Sequence, residues 1–285
     1  MQNKHIPAKK SLGQNFLKSK LALYKILESG EVSATDVILE VGPGKGVLTE
    51  KLLEKAKKVI AVEKDYRLME LLQEKFANEI ADGKLELINA DILDLELPRL
   101  NLFSDLRFNL GNSYKIIANI PYYITGQFLR KFLETDSQPS KIVVMVQKEI
   151  AQRIVAREGK ESLLSISVKA FGEPKMIMKV DKENFSPAPK VDSAILLINN
   201  ISKNFFTENK IPEKDFFEIL HAGFAHKRKM LLGNLKQWRK KNAPTCHVDV
   251  SLDKIFAEIK LPEKIRAEDL SLGKWAELTQ KLLIS

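Results

Sequence analysis

The chain alternates short β-branched runs with longer amphipathic stretches from residue 37 to about residue 199, and this pattern constrains its fold most. Strand-like runs lie at residues 37–41, 59–62, 85–88, 116–118, 142–146, 176–180 and 195–198. Apolar residues at helical spacing occur between them, at residues 48–57, 66–81, 126–134 and 150–158. Such alternation is typical of a doubly wound, mostly parallel α/β sheet. Because only residues 181–190 join the last two strands, we predict a hairpin there and one antiparallel strand, the last.

The pattern changes after Asn200. Helical spacing recurs at residues 216–225, 230–241, 252–259 and 275–283, and prolines 212, 244 and 262 separate these segments. We therefore predict an α/β domain over residues 1–200 and a small helical domain over residues 201–285.

Composition indicates the kind of partner. The 285 residues include 46 Lys and Arg against 37 Asp and Glu, a net charge of +9, which favours nucleic acid ahead of membrane. No apolar run approaches the ~18 residues of a membrane span, and no apolar region follows the N-terminal lysines as in a secretory signal. The single cysteine, Cys246, indicates a reducing compartment. We expect a soluble, cytoplasmic monomer.

A glycine-rich turn follows the first strand. In residues 38–46, Gly42 and Gly44 permit a tight turn and let a ligand approach the backbone. A dinucleotide fingerprint counted from Gly42 would place glycine at position 47, where this chain has Val47. The turn is therefore not of the nicotinamide-dinucleotide type, and taken alone it is equally consistent with a structural role.

Acidic side chains end the next two strands. Glu63 lies 19 residues after Gly44, at a position suited to accept both ribose hydroxyls of an adenosine, and Asp91 could accept from an adenine amino group. The simpler alternatives are a solvated carboxylate for Glu63 and a helix N-cap for Asp91. Glycine, Glu and Asp at three consecutive strand ends, without a pyrophosphate fingerprint, favour an S-adenosylmethionine site.

Residues 119–122, Asn-Ile-Pro-Tyr, follow the fourth strand, where open α/β sheets place their chemistry. The amino group of adenine is a poor nucleophile because its lone pair is delocalised into the ring. The carbonyls of the Asn119 side chain and the Ile120 backbone, accepting both amino hydrogens, would favour a more pyramidal nitrogen. Pro121 stiffens the loop, and Tyr122 offers a face for stacking an extruded base. The alternative is an ordinary Asn-x-Pro turn with a core tyrosine.

A proline-stiffened loop, residues 185–192, joins the last two strands. Phe185 could close the other face of the base, although an isolated Phe beside prolines is as often plain packing. The dispersed histidines and the single cysteine indicate no metal site, and no nucleophilic serine motif is present. Methyl transfer from a sulfonium requires neither, because positioning supplies much of the acceleration.

Residues 226–242 carry seven Lys and Arg and no acid. On a helix, residues 224, 231, 235 and 238 form an apolar stripe nearly opposite lysines 229, 236 and 240. The candidate phosphate contacts are Lys227, Arg228, Lys229, Lys236 and Lys240. A basic helical face is usually only solvated, but the N-terminal lysines 4, 9, 10, 18 and 20 add to it and favour RNA contact. Such contacts position RNA more than they specify it, so we expect the three-dimensional shape of the RNA substrate to contribute to recognition.

Taken in order, these motifs resemble the KsgA-type ribosomal RNA adenine dimethyltransferases. The matching segments are residues 10–17 (KSLGQNFL), 40–46 (EVGPGKG), 62–63, 90–91, 119–125 (NIPYYIT), 146–149 (VQKE), 185–193 (FSPAPKVDS) and 224–235 (FAHKRKMLLGNL). The resemblance implies a Rossmann-like, S-adenosylmethionine-dependent methyltransferase domain followed by a helical C-terminal domain. It also implies N6,N6-dimethylation of two adjacent adenosines in the 3′-terminal hairpin of 16S rRNA, late in assembly of the 30S subunit.

The resemblance also assigns site residues. It implies cofactor contacts from Asn15, Leu17, Gly42, Glu63, Asp91 and Asn119. It implies a target-base pocket formed by Asn119, Tyr122 and Phe185. The chain departs from the family pattern at residues 161–165, which lack a Tyr-Gly pair, and in the greater length of residues 93–114. Both departures bear on RNA engagement rather than on the chemistry.

Two other functions compete with this interpretation. The macrolide-resistance methyltransferases of 23S rRNA share the Asn-Ile-Pro-Tyr loop, but GPG at residues 42–44, QKE at 147–149 and VDS at 191–193 favour the small-subunit enzymes. A non-catalytic, nucleic-acid-binding assembly or transcription factor is the alternative from a different class. The intact residues 119–122 and the acidic cofactor residues argue against it.

Overall fold

The computed structural model describes residues 6–96, 114–156, 159–241 and 251–284. The chain forms two compact units, one of residues 1–151 and 173–201 and one of residues 152–172 and 202–285. The sequence prediction had placed residues 152–172 in the first domain. Lys4, Cys246 and most of the long segment between residues 93 and 114 lie outside the described residues.

A seven-stranded sheet forms the centre of the first unit. The described strands of this unit are β1 (Phe16–Leu17), β2 (Val37–Val41), β3 (Lys58–Glu63), β4 (Leu85–Asn89), β5 (Tyr114–Ala118), β6 (Lys141–Gln147), β7 (Glu173–Val180), β8 (Phe185–Ser186) and β9 (Ser193–Asn199). The short strands β1 and β8 pair with each other, and the other seven form the main sheet. The order in the sheet is β4-β3-β2-β5-β6-β9-β7. Only β9 runs antiparallel to its neighbours β6 and β7. The predicted fold class, including the antiparallel last strand, is confirmed.

Six α-helices begin among the described residues of the first unit. They are α1 (Lys20–Gly30), α2 (Val47–Leu53), α3 (Tyr66–Lys75), α4 (Ala77–Ala81), α5 (Thr125–Leu133) and α6 (Lys148–Val155). The Ser19 side chain caps α1, a helix that the sequence analysis did not predict. The predicted helix at residues 66–81 is two helices, because the backbone leaves helical geometry at Phe76 (φ −115°, ψ 32°).

The central strands are buried on both faces, as expected for parallel strands covered by helices. Residues 59–62 of β3 and 142–146 of β6 are all at most 2% exposed. Parallel strands β2, β3, β4 and β5 direct their carboxyl ends to one edge of the sheet. The loops that leave these four ends carry the glycine turn and the predicted polar residues.

The N-terminal segment pairs with the connection between β7 and β9 in a separate two-stranded ribbon. Phe16 pairs with Ser186 and Leu17 pairs with Phe185 in the antiparallel contact of β1 with β8. This pairing was not predicted, since two-residue strands leave no periodicity in the sequence. It fixes residues 14–17 close to the carboxyl ends of the parallel strands.

The second unit is helical among the residues described. Its helices are α7 (Leu163–Lys169), α8 (Asn204–Glu208), α9 (Glu213–Phe224), α10 (Leu231–Lys241), α11 (Leu252–Glu258) and α12 (Leu272–Ile284). One part of its core is aromatic: the ring centroid of Phe206 lies 5.2 Å from that of Phe171 and 5.6 Å from that of Phe216. Another part is centred on Trp275, whose buried ring stacks on Phe224 at 5.6 Å.

The basic segment is not one continuous helix. Helix α9 ends at Phe224, and α10 begins at Leu231, so residues 225–230 form a connection. The buried Asn234 side chain donates to the carbonyls of Gly223 (2.6 Å) and His226 (3.3 Å), which satisfies the end of α9. The prediction that residues 224 and 229 lie on the stripes of one helix was therefore wrong. Leu231 and Leu235 are buried on α10, as predicted.

None of the helices in the described part of the chain combines the length and the apolar character needed to span a bilayer.

Candidate active site

A cavity opens at the carboxyl ends of β2, β3, β4 and β5. It is lined by Leu12, Gly13, Gln14, Asn15, Phe16, Val41, Gly42, Gly44, Val62, Glu63, Lys64, Leu68, Ala90, Asp91, Ile92, Asn119, Ile120, Pro121, Tyr122, Tyr123 and Ile124. The structure thus brings together Asn15, Gly42, Glu63, Asp91, Asn119 and Tyr122, six of the predicted site residues. Residues more than 100 positions apart in sequence meet there because the parallel strands end at one edge.

The glycine turn gives the cavity a floor of backbone. Gly42 (φ +69°) donates its N–H to the Val62 carbonyl at 2.9 Å, which ties the turn to the neighbouring strand. Gly44 also has positive φ (+60°), and a Cβ there would lie 3.0 Å from the Phe16 ring. Any side chain at residue 44 would therefore be strained and would crowd the space beside the cavity.

Glu63 is the buried carboxylate of the site. Its Oε2 accepts from the Gly44 N–H at 3.2 Å, and its Oε1 accepts from the Asp65 N–H at 2.9 Å. Burial raises the pKa of Glu63, although both backbone donors act in the opposite direction. Each oxygen keeps a further lone pair, so the group can still accept from hydroxyls that enter the cavity.

Asp91 follows β4 and lies at the wall of the cavity. Its Oδ1 accepts from the Leu93 N–H at 2.9 Å, and its Oδ2 lies 2.6 Å from the Lys64 ammonium. Partial burial opposes ionisation of Asp91, but Lys64 and the Leu93 N–H outweigh it and lower its pKa. Asp91 therefore closes a turn rather than capping a helix, and it also presents an ionised carboxylate to the cavity.

Asn119 leaves β5 with its amide fixed by the N-terminal segment. Its Nδ2 donates to the Asn15 backbone carbonyl at 3.1 Å. This contact uses the amide nitrogen and leaves the side-chain carbonyl as the group that can accept from a ligand. The unpredicted β1–β8 ribbon is therefore part of the support of the site, because it holds the segment that carries Asn15.

Tyr122 begins a single 3-10 turn (Tyr122–Ile124) and lines the cavity. Its hydroxyl lies 2.5 Å from the Ser193 hydroxyl, and burial raises its pKa. The tyrosine is therefore neutral throughout the physiological range and presents an uncharged ring. The next residue, Tyr123, is 63% exposed at the same cavity.

Leu17 and Phe185 do not line this cavity. Leu17 lines an adjoining cavity that shares Phe16, Gly42, Gly44 and Asn119 with the first. Phe185 lines neither: it is 2% exposed and packs in the hydrophobic core of the first unit. The prediction that it lies in the base pocket was wrong, since pairing with Leu17 in the ribbon directs it into the core.

Glu40 is a candidate that the sequence analysis missed. It lies on β2, lines the adjoining cavity with Leu17, Lys18 and Lys45, and is only 1% exposed. Burial raises its pKa to about 8. Its Oε2 has no hydrogen-bond partner among the described residues. The available signal was a carboxylate two residues before the glycine turn, inside a run otherwise typical of an apolar strand.

These groups fit an adenosyl cofactor. Two strand-end carboxylates can accept from ribose hydroxyls and from an adenine amino group, the glycine turn leaves room for a ligand, and the buried Glu40 offers an acceptor to a cationic group. Within the ranges described, no cluster of three or more His, Cys, Asp and Glu side chains could hold a metal ion.

The sheet order and this donor set define an S-adenosylmethionine-dependent methyltransferase of Rossmann-like fold. The model of the family described as ribosomal RNA adenine dimethylase matches residues 6–284. The chain belongs to this family, and it is an S-adenosylmethionine-dependent rRNA adenine dimethyltransferase.

Individual relatives agree with the family. The ribosomal RNA small subunit methyltransferase A of Dehalococcoides mccartyi (strain BAV1) is 41% identical over 280 residues, with 98% of this chain and 89% of that protein covered. The protein of the same name from Fusobacterium nucleatum is 36% identical over 280 residues, with 98% and 97% covered. A dimethyladenosine transferase from Plasmodium falciparum superposes with a TM-score of 0.74 at 27% identity, covering 94% of this chain and 98% of that one. The 23S rRNA methyltransferase ErmE, at 23% identity and a TM-score of 0.70, covers 94% and 99% and shares the fold.

Proposed function

We propose that the protein dimethylates N6 of two adjacent adenosines in the 3′-terminal hairpin of 16S rRNA, on the immature 30S subunit late in its assembly. The observation that carries the proposal is the convergence of Asn119 and Tyr122 with Glu63 and Asp91 in one cavity. The relatives at 36–41% identity are small-subunit methyltransferases by name, which supports the small subunit as the substrate.

Six residues hold the cofactor in this proposal. Glu63 accepts from the ribose hydroxyls, Asp91 accepts from the adenine amino group, and Gly42 lets the ligand approach the backbone. Asn15, Leu17 and Asn119 complete the contact from the N-terminal segment and β5. When bound, S-adenosylmethionine supplies a methyl group on a sulfonium, which needs no nucleophile from the protein. We add Glu40, whose buried carboxyl would accept from the ammonium of the amino-acid portion.

The target base lies against residues 119–122. The Asn119 side-chain carbonyl and the Ile120 backbone carbonyl accept the two amino hydrogens of adenine, which favours a pyramidal nitrogen with an available lone pair. Tyr122 stacks on the extruded ring. Phe185 is left out of this set because it is buried in the core.

The RNA contact is assigned to exposed cations in each unit. In the second unit, Lys227, Arg228, Lys229 and Lys240 are exposed, and no ion pair links any of them to another described residue. Lys236 contributes less, because its ammonium lies 2.9 Å from the Asp253 carboxylate. In the first unit, lysines 9, 10, 18 and 20 are exposed. We assign methyl transfer to residues 1–200, whose exposed lysines add to the RNA contact, and the main ribosome contact to residues 201–285, in a cytoplasmic monomer.

Methyl transfer from labelled S-adenosylmethionine tests the proposal. The protein is offered immature small subunits, naked 16S rRNA, 23S rRNA or no RNA. We expect dimethyladenosine in small-subunit rRNA only, and more of it on immature subunits than on naked 16S rRNA because subunit shape contributes to recognition. Label in 23S rRNA would indicate a macrolide-resistance enzyme, and cofactor binding without transfer would indicate an assembly factor. Equal labelling of naked and assembled 16S rRNA would remove shape from recognition.

A further inference from the structure

The ring of Tyr122 is anchored by a residue outside the cavity. The Tyr122 and Ser193 hydroxyls lie 2.5 Å apart, at the short end of the range for O–H···O hydrogen bonds. Tyr122 lines the cavity, whereas Ser193 does not. The sequence analysis considered residues 185–193 because of Phe185. The contact with Tyr122 is made instead by Ser193, the last of these residues.

Ser193 is a rigid anchor. It is fully buried and is the first residue of β9. It pairs with Gln147 of β6 on one side and with Val180 of β7 on the other. The position of its hydroxyl is therefore fixed by three strands of the sheet rather than by a loop.

Tyr122 lies in a loop and is held at two points. The Thr125 hydroxyl donates to the Tyr122 carbonyl at 2.9 Å, which fixes the backbone of the 3-10 turn. The Ser193 hydroxyl fixes the other end, the phenol oxygen. The phenol oxygen lies on the axis about which a tyrosine ring turns, so holding both ends fixes the first side-chain torsion and with it the place and direction of the ring axis.

We propose that Ser193 is a positioning residue for methyl transfer, which acts by holding the Tyr122 ring at the place from which it stacks on the target adenine. The inference rests on the proposed function, because it requires an adenine in this cavity. Its physical basis is that transfer rates depend steeply on the orientation of the reacting groups. Without the Ser193 hydroxyl, the ring keeps its apolar surface but loses its fixed position.

A double-mutant cycle tests this proposal. Tyr122→Phe and Ser193→Ala remove the same hydrogen bond from opposite sides, and the single-turnover rate is measured on immature small subunits at saturating cofactor. We expect each variant to transfer methyl groups about three- to tenfold more slowly, the scale of one hydrogen bond. The double variant should be no slower than the slower single variant. The cofactor dissociation constant should be the same in all four proteins.

Two controls separate positioning from general loss of structure. Ser193→Thr retains the hydroxyl and should restore the rate. Thr279→Val removes another fully buried hydroxyl, which donates to the Trp275 carbonyl in the second unit, and should leave the rate unchanged. Three results would overturn the proposal: the rate losses multiply in the double variant, the rates of the single variants are unchanged, or the rates of all variants correlate with melting temperature and not with the presence of the hydroxyl. If the wild-type protein itself transfers no methyl group to small-subunit rRNA, the proposed function fails instead.

Discussion

Among single residues, Glu63 is the proposed acceptor for the ribose hydroxyls. Replacing it with alanine removes that acceptor, so S-adenosylmethionine binding should weaken by about 1–3 kcal/mol in calorimetry. Glu86→Ala is the control, because Glu86 is a carboxylate on the adjacent strand whose partner is Lys58, away from the cavity. An unchanged dissociation constant in Glu63→Ala would place the ribose elsewhere.

Glu40 predicts a pH dependence of stability. Its pKa is about 8 in the folded protein against an ordinary value of 4.5, so the folded state holds a proton that the unfolded chain releases between these values. The stability of the ligand-free wild type should therefore fall as pH rises from 4.5 to 8 and level off above 8. Glu40→Gln has no proton to release. Its free energy of unfolding minus that of the wild type should therefore increase by a few kcal/mol between pH 4.5 and pH 8, on the order of 1.4 kcal/mol per unit of pKa shift.

Denaturant unfolding at pH 5, 6.5 and 8 measures this difference. Glu63, whose pKa is also raised, is present in both proteins, so only its electrostatic coupling to Glu40 enters the difference. A difference between variant and wild type that does not change with pH would show that Glu40 is ionised when buried.

The sequence predicted the candidate site residues that lie at strand ends. It did not predict those whose side-chain direction is set by tertiary packing. Glu63, Asp91 and Asn119 follow recognisable strands, so their meeting at one edge follows from parallel topology. Phe185 was misplaced and Glu40 was missed because the direction of a side chain depends on strand pairing. No periodicity marks a two-residue strand or one acid inside an apolar run.

At the scale of elements, the basic segment supplies the sharpest prediction. Lys229 lies in the connection before α10 and Lys240 lies near its C-terminal end, both exposed. The double variant Lys229→Gln, Lys240→Gln should bind RNA more weakly. The slope of its log binding constant against log salt concentration (the salt slope) should be smaller by roughly one unit for each phosphate that the variant no longer neutralises. The control is Lys281→Gln, whose ammonium pairs with Glu258 in the same unit. An unmoved salt slope would mean that these cations are only solvated.

Most elements with long periodic patterns were predicted, although the eleven-residue helix α1 was not. All seven strands of the main sheet occur where β-branched runs indicated them, because buried parallel strands require such runs. Short elements escaped prediction, as α8 and the β1–β8 ribbon did, since few residues carry no clear period. The break between α9 and α10 is fixed by a tertiary contact, the Asn234 side chain on the carbonyls that end α9.

For the molecule as a whole, we propose that one cavity binds the cofactor and performs the transfer. The most direct measurement compares wild type with Asn119→Ala, using single-turnover methyl transfer to immature small subunits and calorimetric binding of S-adenosylmethionine. We expect the wild type to form dimethyladenosine and Asn119→Ala to transfer no measurable label, while its melting temperature stays close to that of wild type. Wild-type turnover by Asn119→Ala would contradict the account.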